Sequence, residues 1–309
     1  MFWLNDTSNQ RGAKKRQVFW LNDTSDHTVA LWRGSGKGRP FPASGFVAQS
    51  AVRLQLRAEM SNSEPAPWKV PCEDCPLRRK AVFREFSESE LEFVKEFKAG
   101  ELNVETGTTV LLEGTNSAHL YTVLSGWAFR YKTLPDGRRQ ILNFALPGDL
   151  VGVQGSMFDK MEHSLEALTD LTLCIFPREK FSKLFSSYPA LAFDVTWLCA
   201  REQSILDENL LSVGRRTAIE RTAYLLLHLF RRAENLGLAD GDKIQFPFFQ
   251  QHVADTLGMS LVHANNTLRK LSELRVMRWK NRIFQILNRK RLAEIAVYDL
   301  NERPARPFI

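Results

Sequence analysis

Cysteine is scarce in this chain. The four residues, Cys72, Cys75, Cys174 and Cys199, are scattered through 309 positions, which excludes the dense disulfide framework of a small secreted domain. No run of the sequence reaches the ~18 consecutive apolar residues of a membrane span, and the first residues lack the continuous apolar core of a signal peptide. Missing too are a phosphate-cradling glycine loop, a serine or cysteine nucleophile with a placed base, and paired carboxylates, so an enzyme is not expected. Together these absences point to a protein of the reducing cytoplasm that does not engage a membrane.

What is present is ordinary in bulk and uneven in distribution. The chain is 44% hydrophobic and 25% charged, globular values that leave room for two domains with full cores. The formal charge of +7 divides sharply: residues 1–70 carry 10 Lys/Arg against 5 Asp/Glu, residues 71–213 carry 15 against 21, and residues 214–309 carry 17 against 9. A basic final third fits a polyanionic partner, because phosphate contacts release condensed counterions; the acidic middle does not.

The first 70 residues, rich in Ser, Asn, Gly, Pro and Arg, read as a poorly ordered basic tail. Phe-Trp-Leu-Asn-Asp-Thr-Ser occurs at 2–8 and again at 19–25, too few copies to stack as a solenoid. A short amphipathic helix is expected at Phe46–Arg57, with Pro65 and Pro67 in a linker behind it. From Cys72 the character changes. Ser87-Glu88-Ser89-Glu90 signals a helix start, and Leu91, Val94 and Phe97 follow at helical spacing. Glycines at 107, 114, 126, 137 and 148 then mark turns between apolar runs at 120–124, 127–133 and 139–146, with a further run at 171–176. That rhythm predicts an antiparallel barrel or roll.

After Pro189 a long helix is expected. Leu191, Val195, Leu198, Glu202, Ile205, Asn209 and Ser212 form one seam at alternating spacings of four and three, and Cys199, Leu206, Leu210 and Val213 lie in a row beside it. Two rows need two surfaces, one on the roll and one on a second copy of the chain. Leu191, Val195, Leu198 and Ile205 are the expected interface residues. A helix at 217–235, with Ala218, Leu225, Leu226 and Leu229 inward, and a strand at 244–248 come next.

Residues 248–271 then read as two short helices around a turn at Gly258-Met259-Ser260. Gly258 supplies turn geometry that a Cβ resists, Ser260 caps the second helix, and Val253, Leu257, Ala264, Leu268 and Leu271 face inward. Val262, His263, Asn265, Asn266 and Arg269 are left outward, a face suited to base edges and phosphates. A hairpin of 276–279 and 282–287 around Lys280-Asn281 completes a winged helix whose wing carries Arg278, Lys280 and Arg282. The candidate DNA contacts are therefore Ser260, Val262, His263, Asn265, Asn266, Arg269 and Lys280.

This order of parts resembles the Crp/Fnr family of bacterial transcription regulators over about residues 71–300. The strings that carry the resemblance are Leu146-Pro147-Gly148-Asp149-Leu150-Val151-Gly152, Gly214-Arg215-Arg216-Thr217-Ala218-Ile219-Glu220-Arg221 and Val262-His263-Ala264-Asn265-Asn266-Thr267-Leu268. It implies an α+β chain with an N-terminal cyclic-nucleotide-binding-like β-roll (71–189), a long dimerisation helix (190–213) and a C-terminal winged helix-turn-helix (214–309). It also implies a homodimer on a near-palindromic operator in double-stranded DNA, with RNA polymerase as a further partner.

The effector stays open. Cyclic-nucleotide members of the family hold the ligand with a Gly-Glu cassette ending in Arg-Ser; here the stretch is Gly152-Val153-Gln154-Gly155 and ends in His163-Ser164. Without the guanidinium the cyclic phosphate loses its bidentate charged bond, so cAMP is not expected. An iron–sulfur cluster needs four thiolates. Cys72, Cys75 and Cys174 match the ligands of the oxygen-sensing branch, but Ala81 stands where another cysteine belongs, and Cys199 sits on an apolar row. A thiol switch at Cys72/Cys75, a haem or metal at His119 or His163, an unidentified ligand, and no ligand at all with activity set by abundance are the other readings. The competing class is a cysteine-metal redox sensor or oxidoreductase whose C-terminal domain only docks.

Overall fold

The computed structural model describes residues 70–301 and 305–309. The repeated heptapeptide, the helix expected at 46–57 and the linker prolines all lie outside the described residues, as does the basic tail up to residue 69.

Helix α1 (Glu88–Phe97) starts where the sequence places it. The Ser87 hydroxyl accepts from the Glu90 N–H and the Glu90 carboxylate accepts from the Ser87 N–H at 2.7 Å, a reciprocal cap that contributes about 1 kcal/mol. Its buried face, Phe93, Val94 and Phe97, covers the roll that follows. The strands are β1 (Gly100–Val104), β2 (Thr109–Leu111), β3 (His119–Ser125), β4 (Ala128–Thr133), β5 (Arg139–Ala145), β6 (Leu150–Val151), β7 (Ser164–Ala167) and β8 (Leu171–Pro177), with a short helix α2 (Val153–Phe158) after β6. They make two antiparallel four-stranded sheets of order β1-β8-β3-β6 and β2-β7-β4-β5. Strand β3 is buried from Leu120 to Leu124 because both of its faces are covered. Tyr121 and Val123 enter the roll interior with Ala128, Leu165 and Leu173, whereas Leu120 and Leu124 join the helices outside. At Gly148, φ is +86° and a Cβ would lie 2.2 Å from the Phe83 ring, so the turn admits no larger residue without displacing that ring.

Helix α3 (Phe181–Ser187) leads into α4 (Pro189–Gly214), 26 residues and roughly 39 Å long. Here the sequence reading needs correcting. Leu191, Val195, Leu198 and Ile205, expected at an interface between copies, are buried within a single chain. The first three belong to the core that α4 shares with the roll. The row that remains open is the second one, with Cys199 exposed, Leu210 at 73% and Leu206 and Val213 also exposed. Spacing identifies two rows; which of them meets the roll depends on tertiary packing.

Helix α5 (Ala218–Asn235) is capped by Thr217 and Glu220 in the same reciprocal way. Leu225, Leu226, Leu227, Leu229 and Phe230 are all buried, so the helix is enclosed on nearly every side. Strand β9 is only Lys243–Gln245. Pro247 has no N–H to continue a ladder, and Phe246 and Phe248 turn inward to stack on each other at 4.5 Å. Strands β10 (Met277–Lys280) and β11 (Ile283–Ile286) complete a sheet of order β10-β11-β9, followed by helix α8 (Arg289–Ala296). The wing turn falls at Asn281-Arg282, one residue later than expected. Both residues have positive φ, 53° and 64°, the pairing favoured in two-residue hairpins.

Candidate nucleic-acid interface and its sensor roll

The helix-turn-helix consists of α6 (Gln250–Leu257) and α7 (Leu261–Glu273). Gly258 ends α6 in the left-handed conformation at φ +60°, and the Ser260 hydroxyl caps α7 by accepting from the His263 N–H at 3.2 Å. Val253, Ala254 and Leu257 of α6 are buried, as are Ala264, Thr267, Leu268 and Leu271 of α7. This close packing leaves one face of α7 entirely in solvent: Val262 is 70% exposed, and His263, Asn265, Asn266 and Arg269 are exposed beside it. Among the described residues Arg269 has only a long surface pairing with Glu273, 3.6 Å, a contact worth little that leaves the guanidinium available. Lys280 and Arg278 project from the wing, while Arg282 lies over the Phe249 ring at 5.5 Å.

The reading head is fixed to the roll by polar contacts that the sequence did not signal. Arg139 of β5 pairs with Asp255 of α6 at 3.1 Å, and the Gln140 amide donates to the Thr256 carbonyl at 2.8 Å. Asn209 of α4 donates to Leu142 O at 2.7 Å. Deeper in, Asp149 accepts from Arg232 of α5 and, at 2.7 Å, from Arg306. Burial alone would raise the Asp149 carboxyl; the two guanidiniums outweigh it and hold the group well below the usual carboxylate range. Arg130 of β4 is buried nearby, donating to Leu150 O at 2.9 Å and pairing with Glu202 of α4; burial brings it down to about 10, against the pull of Asp149.

Cys72, Cys75 and Cys174 line a single cavity of about 30 Å³ together with Phe308 and Ile309. Cys199 lies apart, beside Arg130 and Asp149.

Two family models match the chain: the cyclic nucleotide-binding domain over residues 101–188 and the Crp-like helix-turn-helix domain over 220–295. The nitrogen fixation regulation protein FixK of Bradyrhizobium diazoefficiens is 34% identical over 202 residues, 65% of this chain and 83% of that protein. The chain belongs to the Crp/Fnr family. It is a DNA-binding transcription regulator of that family. The transcriptional activator FnrL of Cereibacter sphaeroides is 31% identical over 62% of this chain and 77% of its own length. The solved structure of FixK2 from Bradyrhizobium japonicum superposes with a TM-score of 0.58 at 27% identity, covering 65% of this chain and 98% of that one. These relatives are regulators, which sets aside the oxidoreductase alternative.

His163 stands where the Crp/Fnr resemblance places the phosphate-binding guanidinium of cyclic-nucleotide members. Burial, then Arg130 and Lys132, push its imidazole down to about 3, so it is uncharged at neutral pH. An uncharged ring does not supply the charged bidentate bond that anchors a cyclic phosphate. A four-thiolate cluster fits no better. Ala81 is an exposed surface residue, and the cavity at Cys72, Cys75 and Cys174 has room for about one water. Burial pushes the Cys174 thiol up to about 12 and raises Cys72, so both sulfurs are protonated thiols at neutral pH in this environment. Among the described residues no group of three or more His, Cys, Asp or Glu is placed to hold a metal ion.

Proposed function

We propose that two copies of this regulator bind a near-palindromic operator, each laying α7 in the major groove. The observation that carries this reading is the one-sided burial of α7: every large inward residue is packed, and five outward residues of base- and phosphate-contacting type are solvated. Asn265 and Asn266 are assigned to base edges, where amides pair with adenine, and Val262 to a thymine methyl. Ser260, His263, Arg269 and Lys280 are assigned to phosphates or flanking bases. The open row of α4, Cys199, Leu206, Leu210 and Val213, is assigned to the partner copy, because a helix face this apolar and exposed needs a cover. On this reading the chain comprises a sensor at 71–189, a dimer helix at 190–213 and a reading head at 214–309, acts in the cytoplasm, and has RNA polymerase among its partners. No described helix is long and apolar enough to cross a membrane.

The test is selection of binding sites from random duplexes. Asn265→Ala should weaken binding by about 1–3 kcal/mol and relax preference at one base pair. A variant with the parent's affinity and the parent's base preference would remove Asn265 from the contact set.

A further inference from the structure

Residues 305–309 lie against the sensor roll. The Arg306 N–H donates to Val82 O at 2.8 Å and Arg306 O accepts from the Arg84 N–H at 2.9 Å, a short bridge beside Phe83. The Arg306 guanidinium sits 4.7 Å over the Phe83 ring, donates to Pro147 O at 2.8 Å and shares Asp149 with Arg232. Phe308 packs between Phe83 and Phe86, each at 4.8 Å, and Ile309 O accepts from the Thr122 hydroxyl. Arg306, Phe308 and Ile309 are all buried. Phe308 and Ile309 form part of the wall of the cavity onto which Cys72, Cys75 and Cys174 open.

We propose that residues 305–309 are a strap that docks in a groove of the sensor roll and governs chemical access to the buried thiol of Cys174, in the pocket it shares with the half-buried Cys72 and Cys75. A reagent that attacks the Cys174 sulfur reaches it when the strap lifts. The same lift removes Arg306 from Asp149, the carboxylate that also holds Arg232 of the reading head, so the state of the thiol pocket is coupled to the DNA-binding half through one shared acceptor. This inference does not depend on which bases α7 reads.

The experiment is native-state labelling with iodoacetamide, with each cysteine followed by peptide mass spectrometry. Cys199, outside the cavity on the α4 row assigned to the partner copy, serves as the internal reference for general loosening or dimer dissociation. In the combined Phe308→Ala and Ile309→Ala variant, Cys174 should react roughly tenfold faster or more, as expected when a local opening becomes the dominant state, and Cys199 should keep its parent rate. Arg306→Met, a milder change that leaves Arg232 on Asp149, should raise the Cys174 rate by a smaller factor with the same Cys199 reference. Equal Cys174 rates in the parent and both variants would overturn the proposal. So would an increase in both variants that is as large at Cys199 as at Cys174, since that reports general loosening rather than release of a strap.

Discussion

At Asp149 one carboxylate accepts from two guanidiniums, Arg232 and Arg306, and its second oxygen position is fixed further by the Leu146 N–H at 2.8 Å. Asp149→Asn keeps the shape and leaves two buried cations without their counter-charge. It should cost about 3–5 kcal/mol in urea unfolding, the range for breaking a buried pair on one side. His163 gives the pH-dependent counterpart. Its pKa is near 3 in the fold and 6.5 in the reference state, so on acidification the unfolded chain takes up a proton that the folded chain refuses. Stability therefore falls as pH drops below about 6.5, and by pH 5 the loss from this residue is roughly 2 kcal/mol. Urea melts at pH 7 and pH 5 should show His163→Gln losing less over that interval than the parent; equal losses would place the acid sensitivity elsewhere. Neither role was legible in the string. Leu146-Pro147-Gly148-Asp149 marked a family turn, but the two arginines that meet it lie 83 and 157 positions away.

At the scale of elements the reading was better, because helices and turns are written locally. The Ser87/Glu90 cap, the Gly258 turn and the Ser260 cap were each recognisable from two or three residues. The wing turn slipped by one position because Arg282 is not a residue type expected at positive φ. Strand β9 fell short for a reason visible afterwards in Pro247. The long helix shows where periodicity stops being informative: both rows of α4 are apolar, and only the roll decides between them. The two rows should respond differently to a charge. Leu210→Glu, on the exposed row, should leave the fold intact and shift the sedimentation coefficient to that of a monomer. Leu198→Glu, 8% exposed against the roll, should instead lower the melting temperature. If Leu210→Glu sediments as the parent does, the interface lies off this row. Gly258→Ala should destabilise by about 1 kcal/mol or more, since φ +60° is costly for a residue with a Cβ.

For the molecule as a whole, the largest basic excess falls on the final third: residues 214–309 hold 17 Lys/Arg against 9 Asp/Glu, and they are the residues that bear α7 and the wing. Operator affinity measured by fluorescence anisotropy should therefore fall steeply with salt. Arg269→Ala should flatten the log–log slope by about one unit while weakening all sequences alike. An unchanged slope would take Arg269 off the phosphates. The domain order was readable from turns and periodicities; the joints between domains were not. Arg139 with Asp255, Gln140 with Thr256 and the residues 305–309 on the roll are pairings of distant positions that carry no periodic mark.

The β4–β5 hairpin meets α6, the helix on which α7 is mounted, through Arg139 and Gln140. A head held at two points on a rigid roll has little freedom to swivel about its own axis. In a dimer of such heads the angle between the two reading helices is set by protein and not by DNA, so the duplex must supply matching rotational phase. One inserted base pair turns the second half-site by about 34°, and the misfit must then be absorbed as DNA twist or lost contacts. In the proposed dimer, spacer length, a feature without any base contact of its own, becomes part of the recognised sequence.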